Sequence, residues 1–369
     1  MPEVIFRNAA YDYETLRPKI FYIMDSLGEN LILSESRVLI KPNLLAPATP
    51  DKAMVTHPLV VKAVVEYVMK KGGRPRISDS PAMGAFEKIL KTSGIKDALK
   101  GLSADFAEFR DSREVEAGDP FKKIEIAADA LDADVIINIP KLKTHSQMLL
   151  TLAVKNLFGC IVGLKKPEWH FRVGVDRELF ARLLVNIYSV LKPSINILDG
   201  ILAMEGQGPG RSGMPREIGI IAGSSDALAL DFTVTRMLGL RPEELLTNKV
   251  SIEMGMSPGK IKIDGDVPTI HDLKFPESSP IVFGPKKLHG LMRRHLVQRP
   301  VVDKDMCRLC GECQRYCPAG AINRDKARLH FDYDKCIRCY CCIEVCPIGA
   351  IKAKEPAAGK IVKRVVRKR

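Results

Sequence analysis

Residues 307–318 read CRLCGECQRYCP, and residues 336–347 read CIRCYCCIEVCP. Both have the form C-x2-C-x2-C-x3-C-P, and they run on into PAGAI (318–322) and PIGAI (347–351). The segment is therefore an internal repeat that sets Cys307 against Cys336. Three cysteines at steps of three wrap one side of a small cubic cluster on a tight loop. The fourth opens a helix, points away and serves the opposite cluster. On this pattern Cys307, Cys310, Cys313 and Cys346 hold one [4Fe–4S] cluster, and Cys336, Cys339, Cys342 and Cys317 hold a second. Structural zinc prefers four ligands in two separated pairs, and disulfides are rare in a reducing compartment. Eight cysteines in two runs ending in Cys-Pro fit neither. Cys341 is out of register and reads as a bystander thiol. Arg308, Arg315, Lys335 and Arg338 can offset the negative charge of thiolate-bound clusters.

These cysteine runs resemble the bacterial-type two-cluster ferredoxin module. The resemblance spans about fifty residues and implies a pseudo-twofold βαβ-type fold of α+β class. It also implies low potentials, electron transfer between the two clusters, and an external donor or acceptor protein as partner.

Outward from this segment, a chain of 369 residues is too long for one small core, so two domains are expected. Composition divides it into 1–280, a linker at 281–302 containing the basic KKLHGLMRRHLVQRP, the cysteine-rich unit at 303–353, and a basic tail at 354–369. The tail reads as a disordered, solvated end, or else as a docking strip for an acidic partner or nucleic acid. No apolar run is long enough to cross a bilayer, so membrane insertion is not expected. MPEVIFRNAAYDYE lacks the pattern of a signal peptide, which makes the cytoplasm the expected location. The net charge of +13 fits an anionic partner of several kinds. Nucleic acid is disfavoured, because aromatics make up only 6% and no recognition-helix motif is present.

Residues 1–280 alternate strand-like and helix-like segments, which predicts an α/β domain with a mostly parallel sheet. Strands are expected at RVLIKPN (37–43), RPRISDS (74–80), SINILDGI (194–201) and EIGIIAG (217–223). DADVIINIPKLK (132–143) reads as a strand entering a basic loop. Helices are expected at 57–73, 85–94, 146–158, 177–191 and 227–240.

Ligands bind outside the carboxyl ends of parallel strands. Lys41, Asn43, Asp79, Ser80, Lys141, Lys143, His145, Asp199 and Gly200 all stand just past predicted strand ends, with Lys155 close behind. Lys41, Lys141, Lys143 and His145 are the candidate catalytic groups, and His145 is the candidate general acid. Asn43, Asp79, Ser80, Lys155 and Asp199 are the candidate binding groups. Such a crevice suits a carboxylate or phosphate, so an anionic small-molecule substrate is expected. GQGPGRSG (206–213) contains G-x-G-x-x-G but lacks the strand directly before it and the helix after it that a dinucleotide site needs. A lid, a backbone anion nest and a plain glycine-rich loop remain open for it. Trp169 and His170 read as core or rim aromatics, or as a stacking wall. Cys160 reads as a small buried residue.

IKPNLLAP (40–47), THP (56–58), SDSPAMG (78–84), NIPKLKTHSQMLLTLAVKNLFGCIVG (138–163) and NILDGILAMEGQGPG (196–210) occur in this order. Together they resemble the domain-of-unknown-function 362 family. That resemblance covers roughly residues 35–240 and implies an iron–sulfur redox association without naming a substrate. The combined expectation is a reductase-like protein that passes electrons through two clusters to an anionic substrate or cofactor. The alternatives are an electron carrier, a redox-regulated binding protein and, more weakly, a nucleic-acid binder.

Overall fold

A computed structural model describes residues 1–276 and 297–356. Most of the expected linker and nearly all of the basic tail lie outside the described residues.

The large domain is built on a ten-stranded mixed sheet. Its strands are β1 (Glu3–Asn8), β2 (Arg37–Pro42), β3 (Arg74–Asp79), β4 (Asp105–Glu108), β7 (Val135–Ile139), β8 (Lys141–His145), β9 (Leu149–Thr151), β10 (Ile195–Gly206), β11 (Gly213–Ser224) and β12 (Lys262–Asp264). A separate hairpin, β5 (Ser112–Gly118) and β6 (Lys122–Ala127), stands off the sheet. The order β12-β1-β11-β10-β7-β2-β3-β4 is extended by β8 on β10 and β9 on β8. All pairings are parallel except β1–β11, β10–β11 and β8–β9. The central strand VIINI of β7 is buried on both faces, as a near-continuous apolar run requires.

Helix Pro58–Lys70 shows why the crossovers form where they do. Pro58 occupies the first helical position, where no N–H is needed, and the His57 ring accepts Leu59 N at 3.2 Å. Val60, Val61, Val64 and Val68 recur at helical spacing and are buried against the sheet. Helices Phe86–Thr92, Arg177–Leu191 and Ala227–Met237 also form within the segments where apolar spacing predicts them.

Two expectations differ from the structure. The basic loop after β7 is instead strand β8, because Pro140 breaks β7 and the chain then pairs with β10 at Asp199↔Lys141 and Met204↔Lys143. The helix expected over 146–158 is instead β9 followed by two short turns, Ala153–Asn156 and Leu157–Cys160. Thr151 pairs with Lys143 across the β8–β9 ladder, which holds the first part extended. The buried Asp231 carboxylate accepts Ala153 N and Val154 N at 2.8 and 3.1 Å, which starts the helix there.

The cluster unit is small and twofold in pattern. β13 (Arg299–Val302) pairs with β16 (Ile351–Lys354), and β14 (Ile322–Arg324) pairs with β15 (Leu329–Phe331), both antiparallel. Its first strand, β13, lies inside the stretch that composition assigns to the linker. The glycine-rich loop joins β10 to β11 and forms the seam with this unit. Ser212 Oγ donates to Gly349 O at 3.4 Å, and Gly210 lies against the backbone of Ile343 and Glu344. At Gly208 a Cβ would come within 2.3 Å of Thr144 O, so only glycine allows the approach.

Candidate functional site

The repeat is legible in the backbone of the cluster unit. Leu309 and Arg338 have φ of 52° and 58°, and Gly311 and Tyr340 have φ of 85° and 61°. These left-handed residues occupy matched places in the two halves and curl each loop around its cysteines. Cys307 N donates to Asp303 O, and Cys336 N donates to Asp332 O, both at 3.0 Å. Cys313 lies within electrostatic reach of Cys310, Cys346 and Cys307, whereas Cys317 feels Cys339 and Cys336. Each fourth cysteine thus lies within electrostatic reach of the other half's set. Arg338 is 4% exposed, and its Nε and Nη2 have no hydrogen-bond partner among the described residues. A buried orphan guanidinium beside Cys336 and Cys339 is what an anionic cluster would satisfy. Cys310 is exposed, so its end of the unit faces solvent. Cys341 is buried beside Cys339.

Between this unit and the carboxyl ends of β2, β3 and β8 lies a cavity of about 290 Å³. Lys41, Asn43, Asp79, Ser80, Lys143, His145 and Lys155 all line it. So do Lys166, His170, Thr151 and Glu108, which sequence reasoning did not assign to it, and Arg315, Tyr316, Cys341, Glu344 and Val345 from the cluster unit. The repeat held a signal for Glu344. It stands where the first half has Arg315, a charge reversal on the face turned towards the large domain.

Each cavity lysine is held differently. Lys41 pairs with Asp79 at 3.0 Å, both buried, and donates to Pro42 O at 2.9 Å. Asp79 also accepts Leu44 N and Ser80 N at 3.0 and 2.9 Å. Gly159 closes over this pair. A Cβ there would lie 2.2 Å from the Asp79 carboxylate and 2.5 Å from Lys41 Nζ. Lys143 donates to Asn43 Oδ1 at 2.7 Å and Met54 O at 2.8 Å. Asn43 in turn donates to Asn156, Asn156 to Asn138 and Asn138 to Asn196, at 2.8, 2.8 and 2.9 Å. Lys166 donates to Ser80 O at 2.6 Å. Lys155 Nζ lies 5.1 and 5.5 Å over the rings of Phe158 and Phe180 and meets no acceptor among the described residues.

Burial pushes Lys143 down to about 7, with Glu344 opposing and Lys155 reinforcing. Burial likewise pushes Lys166 to about 7, with Asp79 opposing, and it lowers Lys155. His145 is pushed to about 4, first by burial and then by Lys155. Its Nδ1 accepts Gln147 N and Met148 N at 3.1 and 3.3 Å, so the ring is the Nε2–H tautomer, facing Glu344 at 3.3 Å. Burial alone would raise Glu344, but His145 and Lys155 bring it down to about 2. His145 is therefore a neutral bridge between the two units at neutral pH, and the general-acid role expected for it does not fit.

Lys141 and Asp199 stand outside the cavity, contrary to expectation. They form a closed knot with Tyr11 and His57. Lys141 Nζ contacts Asp199 Oδ2 and Tyr11 Oη, both at 2.7 Å. Tyr11 Oη donates to Asp199 Oδ1 at 2.7 Å, and His57 N donates to Oδ2 at 2.9 Å. The Tyr11 and His57 rings stack at 3.5 Å. Neither Lys141 nor Asp199 lines the cavity, and both are committed to the knot. The alternation along β8 directs Lys141, Lys143 and His145 to one face, but sequence alone does not reveal that Tyr11 seals its near end. Trp169 packs edge-on to Phe121 at 5.4 Å in the core, as the core reading expects, and Cys160 is fully buried.

The family described as Domain of unknown function (DUF362) matches residues 38–236, and a 4Fe-4S dicluster domain matches residues 299–347. The thylakoid-associated protein sll1697 of Synechocystis sp. is 38% identical over 278 residues, covering 75% of this chain and 83% of that protein. Among solved structures, the lactate racemase apoprotein from Thermoanaerobacterium thermosaccharolyticum aligns with a TM-score of 0.30 at 10% identity. That alignment covers 61% of this chain and 54% of the other, a likeness too slight to carry an argument. The cysteine sets and the dicluster match assign two [4Fe–4S] clusters to the C-terminal unit. With its large domain matched over more than half of its length, the chain belongs to the DUF362 family and carries a 4Fe-4S dicluster domain at its C-terminal end.

Proposed function

We propose that this protein is a reductase that delivers electrons to an anionic organic molecule held in the cavity between its two units. One observation carries the reading. Tyr316, Cys341 and Val345 each adjoin a cluster cysteine in the chain, and all three line a cavity that four lysines also line. A carrier that only met external partners would have no use for a lysine-lined chamber against its clusters. The clusters, when bound, supply single electrons. The chain's own residues do the rest. Lys143, Lys155 and Lys166 attract and orient the anion, while Leu44, Leu45, Met83 and Phe158 exclude water. Lys143 Nζ and Lys166 Nζ, poised near neutrality, can each give up a proton to a reduced product. The exposed Cys310 end is the natural meeting place for an external electron donor.

No helix among the described residues is long and apolar enough to cross a membrane. We retain the cytoplasm as the proposed location, although the Synechocystis relative is named for its association with thylakoids. The test of function is anaerobic. The iron-loaded chain, reduced with dithionite, is challenged with a panel of organic acids, and one class should reoxidise it with saturation. A chain that every acid leaves reduced, but that an external protein oxidises rapidly, would be a carrier.

The lysines also set a pH dependence. Lys143 and Lys166 carry charge below about 7 and lose it above. Anion affinity should therefore fall from pH ~6 to pH ~8, by about tenfold for each lysine the ligand engages. Calorimetric titration across that range checks the sign, and affinity rising with pH would contradict it.

A further inference from the structure

Three polar groups in the cavity have no hydrogen-bond partner among the described residues. Thr151 is 4% exposed and its Oγ1 is unpaired. His170 is 5% exposed and its Nδ1 is unpaired. Lys155 Nζ lies over the rings of Phe158 and Phe180, and its charge neighbour is Glu344. Unpaired polar atoms as deeply buried as those of Thr151 and His170 are uncommon, because each forfeits its hydration without compensation. The other cavity lysines are tied down: Lys41 to Asp79, Lys143 to Asn43 and Met54, Lys166 to Ser80. The open set is built locally. Thr151 ends β9, Lys155 follows one helical turn later, and Lys155 and His170 share the neighbours Phe158 and Phe180: the Lys155 ammonium is 5.1 and 5.5 Å from the two ring centroids, and the His170 centroid is 5.5 and 4.5 Å from them.

We propose that Thr151, Lys155 and His170 form the carboxylate subsite of the cavity, and that its ligand is a small organic acid with an apolar body. Resting on the reading that the cavity holds the substrate, this names the substrate's class. A carboxylate offers acceptors to an ammonium, a hydroxyl and an imidazole N–H together. Burial holds the His170 imidazole neutral, pushing it to about 3, so it serves as a neutral donor beside Lys155 Nζ. Phe158, Leu44, Leu45 and Met83 give the body of the ligand an apolar wall. The volume of about 290 Å³ lies at the bottom of the usual range for ligand pockets, which leaves room for a single-ring acid and not for a dinucleotide.

The test uses the full chain with both clusters loaded, and benzoate, benzamide and inorganic phosphate as probes. Benzoate should bind saturably at one site per chain, about tenfold or more tighter than uncharged benzamide. It should also bind more tightly than phosphate, which lacks the apolar body. Thr151→Val and Lys155→Met should each weaken benzoate about tenfold, with cluster absorption and melting temperature unchanged. Should either variant fail to fold, Thr151→Ser, which keeps the hydroxyl, and Lys155→Arg, which keeps the charge, must retain most of the affinity. Wild-type affinity in both Thr151→Val and Lys155→Met, or phosphate binding as tightly as benzoate, overturns the proposal. The two readings separate cleanly. Benzoate binding as described, with no acid able to reoxidise the reduced chain, leaves this subsite standing and removes the reductase. Reoxidation at wild-type rate in both variants does the reverse.

Discussion

Lys141→Met should destabilise the folded chain by about 3–5 kcal/mol while leaving the cavity intact. The size follows from what remains. Asp199 is 0% exposed, and without Lys141 its carboxylate would be buried with only Tyr11 and His57 N to answer it. Breaking one side of such a pair costs far more than the pair contributes against apolar replacement, because an uncompensated charge is left in a medium of low polarity. Against a total stability typically near 5–15 kcal/mol, that loss is large. Arg37→Met provides the contrast. It breaks the pair with Asp134 at 2.9 Å, but the two side chains are 65% and 45% exposed, and the denaturation midpoint should barely move. Urea unfolding of the two variants at unchanged m-value gives the comparison. A Lys141→Met chain of full stability that no longer turns over would restore Lys141 to the catalytic role its sequence position suggests.

Cys317→Ala should remove one cluster, and the cluster lost should be the one held by the other half of the repeat. Iron per chain is then expected to fall from about eight to about four. Double substitutions reveal the crossing. Cys317 shares its cluster with Cys336, so Cys317→Ala with Cys336→Ala should cost no more iron than either alone. Cys317→Ala with Cys307→Ala should empty both sites. An uncrossed arrangement reverses the two results. The electrostatic proximity of Cys317 to Cys336 and Cys339, and of Cys346 to Cys313, argues for the crossing. Iron analysis with the paramagnetic resonance of the reduced chain distinguishes the two cases.

The cluster unit is the most legible part of this chain, and the reason is chemical. Cluster binding dictates cysteines at intervals of three, three and four, so spacing alone nominates the ligands. The α/β character of the large domain is legible for a similar reason, since valine-rich helices and apolar strands repeat their periods. Lys143 and His145 were found by their position past a strand end, but the same rule also selected Lys141 and Asp199, which a distant tyrosine seals away. Local spacing carries no information about which chain segment covers a side chain. The helix expected over 146–158 failed for a related reason. Its apolar spacing is compatible with a helix, and a ladder partner at Lys143 and a carboxylate from Asp231 decided otherwise. Thr151 and Lys166 are ordinary residues in sequence and acquire meaning only from the cavity they line. Glu344 was within reach, since setting one half of the repeat on the other exposes its change of sign.

The most direct trial of the account is the rate at which a reactive organic acid reoxidises the dithionite-reduced chain, compared between wild type and Lys155→Met in stopped flow. With equal iron in both proteins, the acid should reoxidise the variant at least about tenfold more slowly, while ferricyanide, which needs no cavity, oxidises both at one rate. Equal rates with the acid would mean that the reacting acid does not engage Lys155, and the carboxylate subsite on which the account turns would fail.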